Sequence, residues 1–270
     1  METVQAELFS VGTELTLGRI QDSNSFRMAG RLSELGVFTR RITVLSDDLD
    51  DVVDAFRSAM ERGTDVIIAS GGLGPTPDDR TVEALCLVAG RDSVIAEDIV
   101  EDYMQRRNVR REDISAGLLK MATIPRGADA RTNPAGWAPC IRLDLERAAF
   151  FLLPGPPAEM DAVFTSHVVP FLASRLSGRT RSLRVVVDMF ESEVSPLLEH
   201  VMERLPGVYL KAYVALRHGS GHGLPVDIVA RGADETAAIA LLRDAETLFA
   251  RLVADQGKSV SHAVDEAVRQ

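Results

Sequence analysis

Short apolar runs alternate with helix-periodic segments through the first two-thirds of the chain, and no other feature limits the fold as strongly. Residues 6–11 form an apolar run that ends at Gly12. Asp22-Ser23-Asn24 is a cluster of helix-capping residues. Phe26, Met28, Ala29, Leu32 and Leu35 then recur at helical spacing, and Gly36 stands where a C-terminal glycine belongs. Residues 37–45 are β-branched and read as a strand. Asp47, Asp48, Asp50 and Asp51 open a second helix, acidic where the helix dipole favours it, with Val52, Val53, Phe56 and Met60 as its apolar stripe. Residues 65–70 are apolar through their middle, as buried parallel strands are, and run into Gly71-Gly72-Leu73-Gly74-Pro75 and a helix to about residue 89. Strands separated by single helices predict right-handed βαβ units and a parallel sheet.

Further on, 141–145 and 149–153 read as two strands turning near Glu146-Arg147, followed by Pro154-Gly155-Pro156-Pro157 and a helix over 158–176. Residues 183–189, 194–204, 208–216, 226–230 and 236–253 read as strand, helix, strand, strand and helix of a small α+β unit. At about 150 residues per domain, the 270-residue chain predicts two domains, 1–174 and 175–254, with 255–270 as a tail.

Composition removes several function classes. Hydrophobic residues make up 46% and charged residues 26%, which excludes disorder as the main state. Lys and Arg number 30 against 40 Asp and Glu, a net charge of −10, which argues against a dedicated nucleic-acid binder. No apolar run reaches the length of a membrane span, and the N-terminus has no signal-peptide pattern. Two cysteines, Cys86 and Cys140, make no disulfide framework and predict reduced thiols in a cytoplasmic protein.

Ligands of open α/β sheets sit beyond the carboxyl ends of the strands. Four segments fall there: Gly12-Thr13-Glu14, Ser46-Asp47-Asp48, Gly71 through Asp79, and Pro154-Gly155-Pro156. In the third, the backbone of Gly71, Gly72, Leu73 and Gly74 can approach an anion, and the next helix aims its N-terminus there. Two carboxylates, Asp78 and Asp79, follow; one is expected to cap the helix and the other to act on the ligand. The same division is expected of Asp47 and Asp48. Carboxylates beside phosphate suit Mg²⁺ or Mn²⁺. Other motifs fail: Gly72-Leu-Gly74 lacks the third glycine of a dinucleotide fingerprint, and His218 and His222 lack a third ligand. Trp137 is either a packed loop aromatic or the wall of a ring-binding pocket.

Gly12-Thr-Glu-Leu-Thr-Leu-Gly18 with Asp22-Ser-Asn24, Gly71-Gly-Leu-Gly-Pro-Thr-Pro-Asp-Asp79, Asn133-Pro-Ala-Gly136 and Leu153-Pro-Gly-Pro-Pro-Ala-Glu-Met160 occur in this order. Together they resemble CinA-type proteins over about 1–172. The resemblance implies a three-layer α/β/α domain of the MogA/MoaB-like, molybdopterin-binding type, and for 190–213 a KH-like small domain. It implies metal-dependent hydrolysis of ADP-ribose, with Asp79, Asp47 and Asp78 as catalytic residues and Asp47 and Asp79 as ligands of Mg²⁺, Mn²⁺ or Co²⁺. Gly12, Thr13, Glu14, Gly71, Gly72, Leu73, Gly74, Lys120, Asn133, Gly136, Pro154 and Gly155 would contact the substrate. The alternatives are molybdopterin binding or adenylylation, and a non-enzymatic competence- or damage-related interaction role. A homo-oligomer, dimer or trimer, is expected; membrane and nucleic-acid partners are not. The deamidase domain that follows in longer CinA proteins has no counterpart in these 270 residues. Met121 and Cys140 depart from the family pattern near the expected site.

Overall fold

The structure is a computed structural model that describes residues 4–176, 178–216 and 223–262. His218 and His222 lie outside the described residues, as do Ser177 and residues 263–270 of the tail. Contacts divide the chain into two compact units, Met1–Ser33 with Val37–Arg175, and Leu176–Gln270 with Glu34–Gly36.

The first unit opens with β1 (Gln5–Val11), a single turn α1 (Thr13–Thr16), α2 (Asn24–Leu35), β2 (Phe38–Leu45), α3 (Leu49–Glu61), β3 (Val66–Ser70) and α4 (Thr81–Ala89). After these come β4 (Ser93–Ile95), α5 (Glu97–Arg107), α6 (Ala116–Met121), β5 (Thr123–Pro125) and β6 (Asp129–Arg131). β7 (Cys140–Leu145) and β8 (Ala148–Leu153) lead to α7 (Pro157–Val163), a π-helical turn (Phe164–Val168) and α8 (Val169–Arg175). The main sheet has the order β2-β1-β3-β8-β7-β6. β2, β1, β3 and β8 are parallel, and β7 pairs antiparallel with both β8 and β6, so β7 alone runs against the rest. The expectation of a parallel sheet therefore holds for the βαβ strands, and the hairpin expected over 141–145 and 149–153 supplies the reversed strand. The tight β7–β8 hairpin, with Glu146 at φ 50, forces β7 to run against its neighbour.

Adjacent phenylalanines show how helices cover both faces. Phe150 meets the Phe56 ring edge-on at 5.5 Å, on the α3 side. Phe151 meets Phe171 of α8 at 5.0 Å. Successive strand residues point to opposite faces, so the sheet lies between two helical layers. Every residue of β3 and β8 is buried. One core holds Phe9, Val53, Phe56, Ile67, Leu85, Phe150 and Leu152. Burying each such side chain contributes about 1.5–3 kcal/mol.

Glu7 is a polar exception in β1. It is fully buried, and both its oxygens accept from Arg62, at 2.8 and 2.6 Å, while Thr64 Oγ1 donates at 2.7 Å. Burial alone would raise its pKa, but these hydrogen bonds hold the carboxyl below its ordinary value.

The second unit contains β9 (Arg179–Asp188), α9 (Glu191–Arg204), β10 (Val208–Ala212), β11 (Gly223–Gly232), α10 (Glu235–Asp255) and β12 (Val260–His262). Its sheet, β10-β11-β9-β12, is antiparallel, and its core gathers Val185, Val187, Leu210, Ile228 and Phe249. Among the described residues, no helix is long and apolar enough to cross a membrane.

Candidate active site

The carboxyl ends of β1, β2, β3 and β8 share one rim because these strands are parallel. A cleft of about 540 Å³ opens there. Gly12, Glu14, Asp47, Gly71, Gly72, Leu73, Gly74, Asp78, Asp79, Pro154 and Gly155 line it. Most of the residues singled out in the sequence are thus brought together. Thr13, Lys120, Asn133 and Gly136 are not on its surface and act from behind it.

Gly71 and Gly72 are needed for backbone shape. Gly71 has φ +102, and a Cβ there would meet the Val11 carbonyl oxygen at 2.0 Å. Gly72 has φ +66, and a Cβ would lie 2.1 Å from Thr81 Oγ1. The Gly71 N–H donates to the Leu153 carbonyl at 3.0 Å, and Thr81 Oγ1 donates to the Gly71 carbonyl at 2.9 Å. Gly71 therefore pins the loop and has no N–H left for a ligand, which corrects its expected role. The N–H groups of Gly72, Leu73 and Gly74 have no partner among the described residues.

The expected capping division is resolved for one pair and overturned for the other. Asp48 caps α3, accepting from the N–H groups of Asp50 at 3.0 Å and Asp51 at 3.2 Å. Asp47 Oδ2 accepts from Thr13 N at 2.7 Å and Thr13 Oγ1 at 2.8 Å, which ties the β1 and β2 rims together. Neither Asp78 nor Asp79 caps α4, whose cap residue is Arg80 without a side-chain bond. Asp79 Oδ2 instead accepts from Thr76 N at 2.8 Å and from the Thr76 hydroxyl, closing the turn on itself. Asp78 is fully exposed; hydrogen bonding from Thr76, then its own N–H and the Lys120 charge, hold its carboxyl below the ordinary value.

Lys120 was expected to contact substrate, but its ammonium faces the loop's underside. It donates to the carbonyls of Thr76, Asp79 (2.7 Å) and, more weakly, Gly74 (3.5 Å). Asn133 is buried and donates to the Ala138 carbonyl and Glu159 Oε2, both at 3.0 Å. Gly136 leaves room for the Glu159 carboxylate, which a Cβ would meet at 1.8 Å. Both residues hold Glu159, which does line the cleft. Burial raises the Glu159 pKa, against a backbone hydrogen bond from Trp137 and the charge of Arg106.

Trp137 is the packed aromatic rather than a cleft wall. Its carbonyl accepts from Tyr103 Oη at 2.6 Å and the Arg106 guanidinium sits 4.1 Å from its ring centre. Cys140 is buried, and burial pushes its thiol up to about 12, so it is no nucleophile.

Polar cleft residues that escaped the sequence reading include Ser10, Asp22, Asn24, Ser70 and Glu159. Asn24 looked like a helix cap, but Asp22 fills that place, with Oδ1 accepting from Asn24 N and Ser25 N, both at 3.1 Å. The signal for Glu159 was its place in the Pro154–Met160 motif.

One property of the cleft stands out. Among the described residues six carboxylates line it, those of Glu14, Asp22, Asp47, Asp78, Asp79 and Glu159, and no Lys, Arg or His does.

The comparisons with known proteins follow from this geometry. A family model described as a probable molybdopterin binding domain matches residues 7–174. The chain belongs to this family. Its relatives include a CinA-like protein. A protein of Pyrobaculum arsenaticum is 37% identical over 259 residues, 95% of this chain and 97% of its own length. The CinA-like protein of Geobacter metallireducens is 32% identical over 279 residues, 99% of this chain and 65% of its own length. Among solved structures, CinA of Thermoplasma acidophilum superposes with TM-score 0.58 at 34% identity, covering 62% of this chain and 98% of its own. The first unit is thus a MogA/MoaB-like α/β domain of CinA type, accompanied here by a second, smaller unit.

Proposed function

We propose that the cleft hydrolyses the pyrophosphate of a nucleoside diphosphate sugar, ADP-ribose being the first substrate to test, with a divalent ion held by Asp47 and Asp79. The observation that carries this reading is the charge of the cleft. Among the described residues six carboxylates and no basic side chain line it, while the N–H groups of Gly72, Leu73 and Gly74 are left for an anion. A diphosphate is repelled by such a surface unless a cation accompanies it.

The donor set fits a hard cation. Asp47 and Asp79 each have Oδ2 fixed by a threonine, leaving Oδ1 for an ion. Among the described residues no group of three His, Cys, Asp or Glu is placed to hold a metal. Phosphate oxygens and water would complete the shell, as Mg²⁺ accepts. A divalent ion bound there supplies charge neutralisation and a water of lowered pKa. The chain's own residues do the rest. The loop N–H groups orient the diphosphate, Thr13 and Thr76 fix the two carboxylates, and Lys120 holds the loop from beneath. Asp78, exposed and kept ionised, accepts the proton of the attacking water as its oxygen bonds to one phosphorus. The P–O–P bond breaks and the second phosphate departs with the electron pair, giving AMP and ribose 5-phosphate. Release of AMP from ADP-ribose with Mg²⁺, Mn²⁺ or Co²⁺ tests the proposal. A folded sample that turns over with none of the three refutes it.

A second reading, binding or adenylylation of molybdopterin, is favoured by the description of the matching family model. It requires tight binding of a pterin with little diphosphatase activity, and titration with a pterin and with ADP-ribose separates the two.

A further inference from the structure

The floor of the cleft holds two polar atoms without partners. Ser10 is 1% exposed and Asn24 8%; Ser10 Oγ and Asn24 Oδ1 have no hydrogen-bond partner, and both residues line the cleft. Buried polar atoms are rarely left in this state unless something outside the chain satisfies them.

The amide of Asn24 has only one sensible orientation. Its Nδ2 lies 2.8 Å from the Gly155 carbonyl, which can only accept, and 3.4 Å from Ser70 Oγ. Nδ2 is therefore the nitrogen, and Oδ1 is left as an acceptor. Ser10 and Ser70 are register partners on β1 and β3, so their side chains share one face of the sheet. Ser70 directly precedes Gly71, which places this floor next to the glycine loop.

We propose that Ser10 and Asn24 form a second subsite, beside the phosphate-holding loop, that binds an uncharged ligand group bearing O–H or N–H donors. The inference rests on the reading of the loop as the phosphate site. An acceptor-only amide oxygen calls for a donor, and a hydroxyl can satisfy a neighbouring one. Among the described residues no cation lines the cleft, so this floor disfavours an anionic group. Ribose hydroxyls and the amino edge of a heterocycle share this chemistry, and the test separates them.

Calorimetric titration with Mg²⁺ present compares ADP-ribose with ADP, and a pterin with lumazine, which carries oxygen in place of the amino group. The native chain is expected to prefer the donor-bearing member of one pair. In Ser10→Ala and Asn24→Ala that preference falls about threefold to tenfold, as loss of one hydrogen bond dictates, while the affinity for the other member is unchanged. Ser10→Ala is also expected to keep or raise the thermal midpoint of the free protein, because it removes a hydroxyl without a partner. A merely structural serine would lower it. Equal affinities within both pairs in the native chain, or a preference unchanged in both variants, overturns the subsite. ADP that binds without discrimination against ADP-ribose leaves the loop's role standing. ADP that fails to bind strikes the pyrophosphatase reading, while the pterin pair still decides the subsite.

Discussion

Gly71→Ala and Gly74→Ala differ by one methyl each, yet the loop assigns them opposite consequences. At Gly71 the backbone has φ +102, outside the regions an L-residue prefers. Holding a non-glycine residue there costs about 1–3 kcal/mol. The added Cβ would also stand 2.0 Å from the Val11 carbonyl oxygen, a backbone atom that cannot swing aside. Relieving that contact moves the loop by roughly 1.5–2 Å, since carbon atoms rest about 3.5–4 Å from their neighbours. Such a move strains the 3.0 Å bond from Gly71 N to Leu153 O and the 2.9 Å bond from Thr81 Oγ1 to Gly71 O. Each contributes about 0.5–1.5 kcal/mol. The total is about 2–6 kcal/mol, a large share of a typical domain stability of about 5–15 kcal/mol. At Gly74 the φ is not positive, and a Cβ meets only the Asp79 carboxylate, at 2.6 Å. That side chain can turn away, so the expected cost stays within about 1 kcal/mol, while turnover falls because Asp79 is displaced. Urea unfolding followed by the fluorescence of Trp137, the single tryptophan and a residue of the first unit, measures both. The Gly71→Ala midpoint should drop by about 1–3 M at a slope of about 2 kcal/mol/M. A Gly71→Ala variant within about 1 kcal/mol of the native chain, or a costlier Gly74→Ala, would refute the reasoning.

Asp79→Asn is expected to reduce metal-dependent AMP release by at least about 100-fold, as loss of a group acting on the transition state does; steady-state assays at saturating Mg²⁺ check it. Lys120→Met removes the cation beneath the loop, and we expect a loss of about 1–2 kcal/mol with a raised KM, read by urea unfolding and initial rates. Glu7→Gln breaks a buried bidentate pair and should cost about 2–4 kcal/mol near neutral pH. Because the folded Glu7 carboxyl lies below its ordinary value, its stabilisation is present above the unfolded pKa and is lost as pH falls through the folded one. The gap between the native chain and Glu7→Gln should therefore narrow in acid. Glu159 has the opposite sign. Its raised pKa means that ionising it opposes folding, so its contribution declines as pH rises past the unfolded value. Glu159→Gln should melt above the native chain at neutral pH, and thermal scans at acidic pH should show the difference vanish. Self-association as a dimer or trimer is proposed as well, since edge strand β2 exposes Phe38, Ile42 and Val44; sedimentation of native and Phe38→Lys protein tests it.

The sequence made the long elements legible because each carries many repeats of one period. Helix α2 shows Met28 and Leu32 one turn apart, and both are buried. Strands β4, β5, β6 and β12 span three residues each, too few for a period of two to emerge. The direction of β7 followed from a hairpin that was visible, but pairing partners are a tertiary property. The rim was legible because parallel strands deliver their ends together. Which side of the rim each residue serves was not. The family resemblance implied that Lys120 and Asn133 contact the ligand, whereas Lys120 donates to carbonyls of the loop and Asn133 to the Ala138 carbonyl and Glu159. Asn24 looked like a cap because Asn favours caps, and only the competing geometry of Asp22 frees it.

The charge of the chain, −10, and that of the cleft now carry one argument. Two unit charges 4 Å apart interact by about 1 kcal/mol in bulk water and about 4 kcal/mol near a protein surface. Six carboxylates around a diphosphate would therefore outweigh three loop N–H groups at about 0.5–1.5 kcal/mol each. An anionic ligand enters this cleft only when its charge is already covered. A Mg²⁺–nucleotide complex meets that condition, and so does an uncharged ring system. Affinity for a nucleotide should then fall steeply when the divalent ion is chelated, and affinity for a neutral ligand should not. Chelator-dependent loss of ADP-ribose binding beside chelator-independent binding of a pterin would place both chemistries in the same cleft. Equal binding of ADP-ribose with and without the ion would mean that the carboxylates do not face the ligand at all.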